Sequence, residues 1–161
     1  MSRSEYIVYK SDYRSNDQPL QIPHPTKYYS KYESLKDQID NLISLNENWD
    51  GYGSISVLEE IGQSAKTFLS TLNPSWIERV SDIYPNPHGT LTIEWENKVG
   101  EKLSLELGGN NFSYFIKQDD NQPILVDGKD NIPNLKNIES HLDKLFGKDI
   151  PRLFLEPRAN S

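Results

Sequence analysis

The chain has 161 residues, 35% of them hydrophobic, and carries 24 acidic against 17 basic side chains for a net charge of −7. That length sets a single domain, and the acidic excess makes nucleic-acid phosphate or an anionic membrane a poor partner for the net field. Cysteine is absent, which excludes disulfides, thiol nucleophiles and thiolate metal sites.

No apolar run approaches the roughly 20 residues needed to span a bilayer. Residues 1–5 lack the apolar stretch of a signal peptide. A cytoplasmic bacterial-type protein is the expectation.

Residues 1–33 hold six of the nine tyrosines, Tyr6, Tyr9, Tyr13, Tyr28, Tyr29 and Tyr32, with Pro19, Pro23 and Pro25 among them. Proline at this spacing opposes a continuous helix. The segment reads as an extended arm that packs across the domain or orders on a partner. Tyrosine suits either role, because its ring buries while its hydroxyl stays wet. Tyr28, Tyr29 and Tyr32 are therefore candidates for protein binding.

The first helix is predicted over residues 34–45, with Leu35, Ile39, Leu42 and Leu45 on one stripe and Ser34 as its cap. Residues 46–53 break the period. A second helix is predicted from Ser56, where Ser56 and Glu59 make a capping-box signature. Its apolar face is Leu58, Ile61, Ala65, Phe68, Leu69 and Leu72, and Asn73-Pro74 stops it.

The second half reads mostly as strand. Ile77, Val80 and Ile83 suggest a short first strand, and residues 84–89 make a proline- and glycine-rich turn. Residues 90–96 and 102–107 alternate, with Leu91, Ile93, Trp95, Leu103, Leu105 and Leu107 inward. Phe112, Tyr114 and Ile116 continue the pattern, and residues 124–126 offer a short edge strand. The connecting loops are too short for crossovers, so the pairing is antiparallel. A last helix is predicted over residues 134–146 on the stripe Leu135, Ile138, Leu142, Leu145 and Phe146, with Gly147 as its stop. The expected class is α+β: an antiparallel sheet of three to five strands covered by about three helices. The arm (1–33), the compact domain (34–147) and a C-terminal tail (148–161) divide the chain.

The densest local signature is Asn48-Trp49-Asp50-Gly51-Tyr52-Gly53. As structure, it is a rigid helix connection with Trp49 anchored in the core and Tyr52 laid against the helix pair. As function, it presents Asp50 and Tyr52 to a protein partner. It lacks the strand, glycine spacing and Gly-Lys-Ser/Thr ending of a phosphate loop.

The histidines, His24, His88 and His141, have no neighbour at a metal-ligand spacing. Glu94, Glu96 and Glu106 point outward from paired strands and read as solvated surface groups. No calcium-hand pattern, serine elbow or basic stripe is present. Neither a cofactor nor a metal site is predicted.

The helix leading through Leu42 and Leu45 into Asn48, Trp49, Asp50, Gly51 and Gly53 resembles a motif of a widespread family of small uncharacterised bacterial proteins. Ser56, Pro85, Pro87, Gly89, Glu94 and Trp95 extend that resemblance, which covers roughly residues 35–146. It implies a domain type and no activity. Size and charge favour a non-enzymatic protein-binding factor, such as an inhibitor, an antitoxin-like factor or an accessory protein of a bacterial or mobile-element system. Tyr52, the Tyr28–Tyr32 region or an exposed strand edge would carry the binding, and a homo-oligomer is compatible with it. The alternatives are a small hydrolase built on Asp50, His88 or Glu94, and an acidic inhibitor that mimics nucleic acid.

Overall fold

Ser30, ahead of the predicted Ser34, opens the first helix. The structure, a computed structural model, describes residues 30–147. The Ser30 hydroxyl accepts from the Glu33 amide at 3.2 Å, and helix α1 runs Lys31–Ile43. Tyr32 thus belongs to a helix, and the boundary drawn at residue 33 falls inside that helix. The rest of the arm and the tail lie outside the described residues.

Helix α2 is Glu59–Thr71, which corrects the predicted start at Ser56. Its cap position is Leu58, and no side chain caps it. Ser56 is engaged elsewhere: its amide donates to Glu47 Oε1 at 3.3 Å. The preceding Ile55 sits in a parallel bridge with His88. The chain cannot turn helical until it leaves that bridge, so the capping-box signature goes unused.

A second correction falls at residues 74–78. They form a short helix, α3 (Pro74–Glu78), and not the start of a strand. The Asn73 side chain accepts from the Ser75 amide at 3.0 Å and caps it, with Pro74 in the first turn, where its missing N–H costs nothing. Ile77 is buried from this helix.

Five strands follow as an antiparallel meander in the order β1-β2-β3-β4-β5. They are β1 (Val80–Pro85), β2 (Leu91–Glu96), β3 (Lys102–Leu107), β4 (Phe112–Lys117) and β5 (Ile124–Gly128). The period of two sorts their residues as the sequence predicts. Leu91, Ile93, Trp95, Leu103, Leu105, Leu107, Tyr114 and Ile116 are buried under the helices. Thr92, Glu94, Glu96, Lys102, Ser104 and Glu106 pair across β2 and β3 on the opposite face.

Helix α4 (Leu135–Phe146) completes the cover, its Asn134 cap accepting from the Asn137 amide at 3.3 Å. Gly147 follows it at φ −57°, a right-handed conformation that does not use the freedom of glycine. α2 packs over β2 and β3, α4 over β3, and α1 lies on α2 and beside β1. Trp95 is fully buried, and its Nε1–H donates to the Trp76 carbonyl at 2.8 Å, tying the sheet to α3. Buried Asn97 donates to Glu101 Oε2 at 2.9 Å and to the Leu145 carbonyl at 2.8 Å. That fastens the end of α4 to the β2–β3 turn.

The sheet edges differ. At β1, Gln38 of α1 donates to the Ile83 carbonyl at 3.0 Å. At β5, Ile124 is 43% and Leu125 65% exposed. Among the described residues, no helix is long and apolar enough to cross a membrane.

Candidate binding surface

The loop between α1 and α2 is built from backbone conformations that few residues adopt. Asn48 has φ 60°, Gly51 φ 80° and Gly53 φ 89°. Asparagine and glycine tolerate this region, which costs other residues about 1–2 kcal/mol.

Hydrogen bonds fix the result. The Asn48 amide donates to the Ser54 carbonyl at 2.7 Å, and Asn48 Oδ1 accepts from the Gly53 amide at 2.7 Å. Asp50 Oδ1 accepts from the Tyr52 amide at 2.8 Å and the Ser54 amide at 3.2 Å. Ser54, 2% exposed, accepts in return from the Asp50 amide through its hydroxyl oxygen at 3.2 Å. The indole N–H of Trp49 closes the loop onto the Ile55 carbonyl at 3.3 Å.

Two expectations are corrected here. Trp49 is half-buried and outside the core, so Ser54 and Val57 are the buried anchors of this connection. Tyr52 does not lie against the helices; it is 93% exposed, the most exposed large hydrophobic side chain among the described residues. Asp50 holds the turn that displays it. One of its carboxylate oxygens is taken up by two backbone amides.

The Tyr52 amide is also the main reason the Asp50 carboxyl lies below its ordinary range. Desolvation opposes it as the next largest cause, and the Ser54 hydroxyl and amide add to the lowering. A carboxyl depressed on folding contributes stability that is complete above its unfolded value, near pH 3.9, and is lost as pH falls through its folded value. Local order at residues 48–54 should therefore fade on acidification below about pH 4. Hydrogen exchange at the Tyr52 and Ser54 amides measures this, and Asp50→Asn should flatten that acid dependence.

The loop is docked on the turn before β2, so the two sharpest sequence motifs meet. The Ile55 amide donates to the Pro87 carbonyl at 2.7 Å, beside the Ile55–His88 bridge. Gly89 permits this approach: at φ +88°, a Cβ there would stand 3.1 Å from Ile55 Cγ2 and 3.3 Å from the Ser56 carbonyl oxygen. Gly89→Ala should cost about 2 kcal/mol or more through strain and crowding. Urea unfolding gives the loss, and faster exchange of the Ile55 amide should accompany it.

The open sheet face holds the other chemically capable groups. His88 Nε2 lies 2.7 Å from Glu106 Oε1 and 3.0 Å from Thr90 Oγ1. The Thr90 hydroxyl donates to the same Glu106 oxygen at 2.6 Å. Burial pushes the Glu106 carboxyl up, but the bonds from Thr90 and His88, with the charge of His88, outweigh it and hold the group below its usual range. Both partners meet one ring nitrogen, whereas a nucleophile–base–acid relay engages the two nitrogens separately.

Glu94 is not the solvated surface group its alternation suggests, because its side chain is only 14% exposed. Its Oε2 accepts from Ser104 at 2.8 Å and Tyr84 at 3.3 Å, and Lys102 Nζ stands 3.2 Å from its Oε1. Asp50, His88 and Glu94 thus have separate hydrogen-bond partners. Among the described residues, no group of three or more histidines and carboxylates is arranged to hold a metal.

Tyr28 and Tyr29 lie outside the described residues. Tyr32 is half-buried against the core, with its hydroxyl donating to the Lys66 carbonyl at 3.4 Å and the Lys36 amine 4.8 Å above its ring. Ile55 and Leu58, 51% and 57% exposed, join Tyr52 as exposed apolar groups, although Leu58 was expected on the buried face of the second helix. Ser56 and Ile55 in the bridged segment were the missed signal, since an extended residue there shifts the register of the helix that follows.

No family model, curated protein or solved structure matches the chain. The likeness to the Asn-Trp-Asp-Gly-x-Gly proteins rests on the motif alone.

Proposed function

We propose that the protein is a non-enzymatic binding factor that docks on another protein through Tyr52. The carrying observation is the 93% exposure of this side chain on a loop whose amides are spent on internal hydrogen bonds. A large ring held by a fixed backbone loses little freedom on binding, and tyrosine is among the residues that dominate interface energies.

Binding of this kind acts by covering a partner's surface. An inhibitor, an antitoxin-like factor or an accessory protein of a bacterial or mobile-element system works in that way, and a cytoplasmic setting belongs to the same reading. The exposed Ile124 and Leu125 on β5 favour a second contact mode, strand addition at that edge.

Co-purification from the native cell, followed by reconstitution with the recovered partner, tests the proposal. A reproducible stoichiometric complex is the expected result. Recovery of a monomer with a specific hydrolytic activity would contradict it.

A further inference from the structure

We infer that the surface around Tyr52 receives a partner that presents arginine beside apolar side chains. The inference rests on Tyr52 being the docking group and adds the chemistry of what docks there. Three exposed side chains define the apolar part: Tyr52, Ile55 and Leu58, at 93%, 51% and 57% exposure.

The chain on either side of them carries charge of one sign. From residue 37 to residue 65 the chain carries Asp37, Asp40, Glu47, Asp50, Glu59 and Glu60 and no lysine, arginine or histidine. Asp40 is paired with Lys66, and Asp50 and Glu47 are occupied by backbone amides. Glu59 and Glu60 are exposed in the first turn of α2, directly after Leu58. On the open sheet face, His88 pairs with Glu106, and Lys102 with Glu94 and Glu96. Among the described residues, no ion pair engages Glu59 or Glu60, the two carboxylates that follow Leu58 in the chain.

Arginine fits this combination better than lysine. Its planar guanidinium stacks on a tyrosine ring while pairing with a carboxylate through two N–H groups, and it sheds water more readily than an ammonium. Leucine or isoleucine beside it would cover Ile55 and Leu58.

The test titrates the full chain, followed by amide NMR, with short peptides that alternate arginine and leucine, lysine and leucine, or glutamate and leucine. The arginine peptide should move the signals of residues 51–60 saturably and lose affinity as salt is added. Tyr52→Ala should weaken it about ten-fold or more. The pair Glu59→Gln and Glu60→Gln, which removes charge and keeps helix-forming side chains, should weaken it about five-fold.

Equal binding of the arginine and glutamate peptides would overturn the inference. So would shifts that persist in the Tyr52→Ala chain or centre on other carboxylates. The native complex separates the two levels. If it is lost with Tyr52→Ala but unchanged by Glu59→Gln and Glu60→Gln, the arginine partner is wrong and Tyr52 docking stands. If Tyr52→Ala leaves it intact, the underlying reading fails as well.

Discussion

Trp95→Ala should remove a large share of the stability of the domain. Trp95 is fully buried on the inner face of β2, opposite Leu103 of β3. Truncating a buried tryptophan costs about 3–5 kcal/mol, in lost burial and in the cavity left behind. A domain of this size has roughly 5–15 kcal/mol in total. The Trp76 carbonyl would also lose its donor, freeing α3 from the sheet. Trp95→Phe separates the two contributions: it keeps most of the ring and leaves only the carbonyl unpaired, at about 1–3 kcal/mol beyond the packing loss. Denaturant unfolding of both variants should rank them Trp95→Ala below Trp95→Phe below the parent chain.

Tyr52→Ala should behave in the opposite way. The side chain is almost fully exposed and its ring has no partner among the described residues, so stability should stay within about 0.5 kcal/mol of the parent. The backbone bonds that shape the loop come from the Tyr52 amide, not from its ring, and survive the change. Affinity for the recovered partner should nevertheless fall by about 2 kcal/mol or more, roughly 30-fold. Calorimetric titration measures this. A loss of binding without a loss of folding distinguishes a docking residue from a structural one.

The fold was legible where one local rule decided it. Leu91, Ile93 and Trp95 alternate with Thr92, Glu94 and Glu96, and short turns leave only antiparallel pairing, so the meander followed from the sequence. The helix starts were less legible, because the same Ser-x-x-Glu spelling caps one helix and not the other. Ser30 with Glu33 forms a cap, while Ser56 with Glu59 has the same spelling and forms none. The difference lies in the bridge between Ile55 and His88, a tertiary contact that no local pattern reveals.

The candidate site was legible as a location but not as an arrangement. The glycines of residues 48–53 announce unusual backbone, yet no local pattern announces φ 60° at Asn48, which asparagine permits without requiring, or the 93% exposure of Tyr52. Trp49 was expected in the core and is half-buried. Glu94 was expected in solvent because alternation assigns a face and is silent about cover. Tyr84 and Ser104, from the strands on either side, supply that cover.

The most direct test of Tyr52 as the docking group is photo-crosslinking in the native cell. A photoreactive phenylalanine analogue replaces Tyr52 in one strain, Leu125 in a second and Val99 in a third. All three positions are exposed, at 93%, 65% and 57%, so access alone does not distinguish them. The expected result is one discrete adduct from position 52, none from position 99, and one at 125 only if β5 also pairs with the partner. An adduct confined to positions 99 or 125, with position 52 unlabelled while the complex forms, would contradict it.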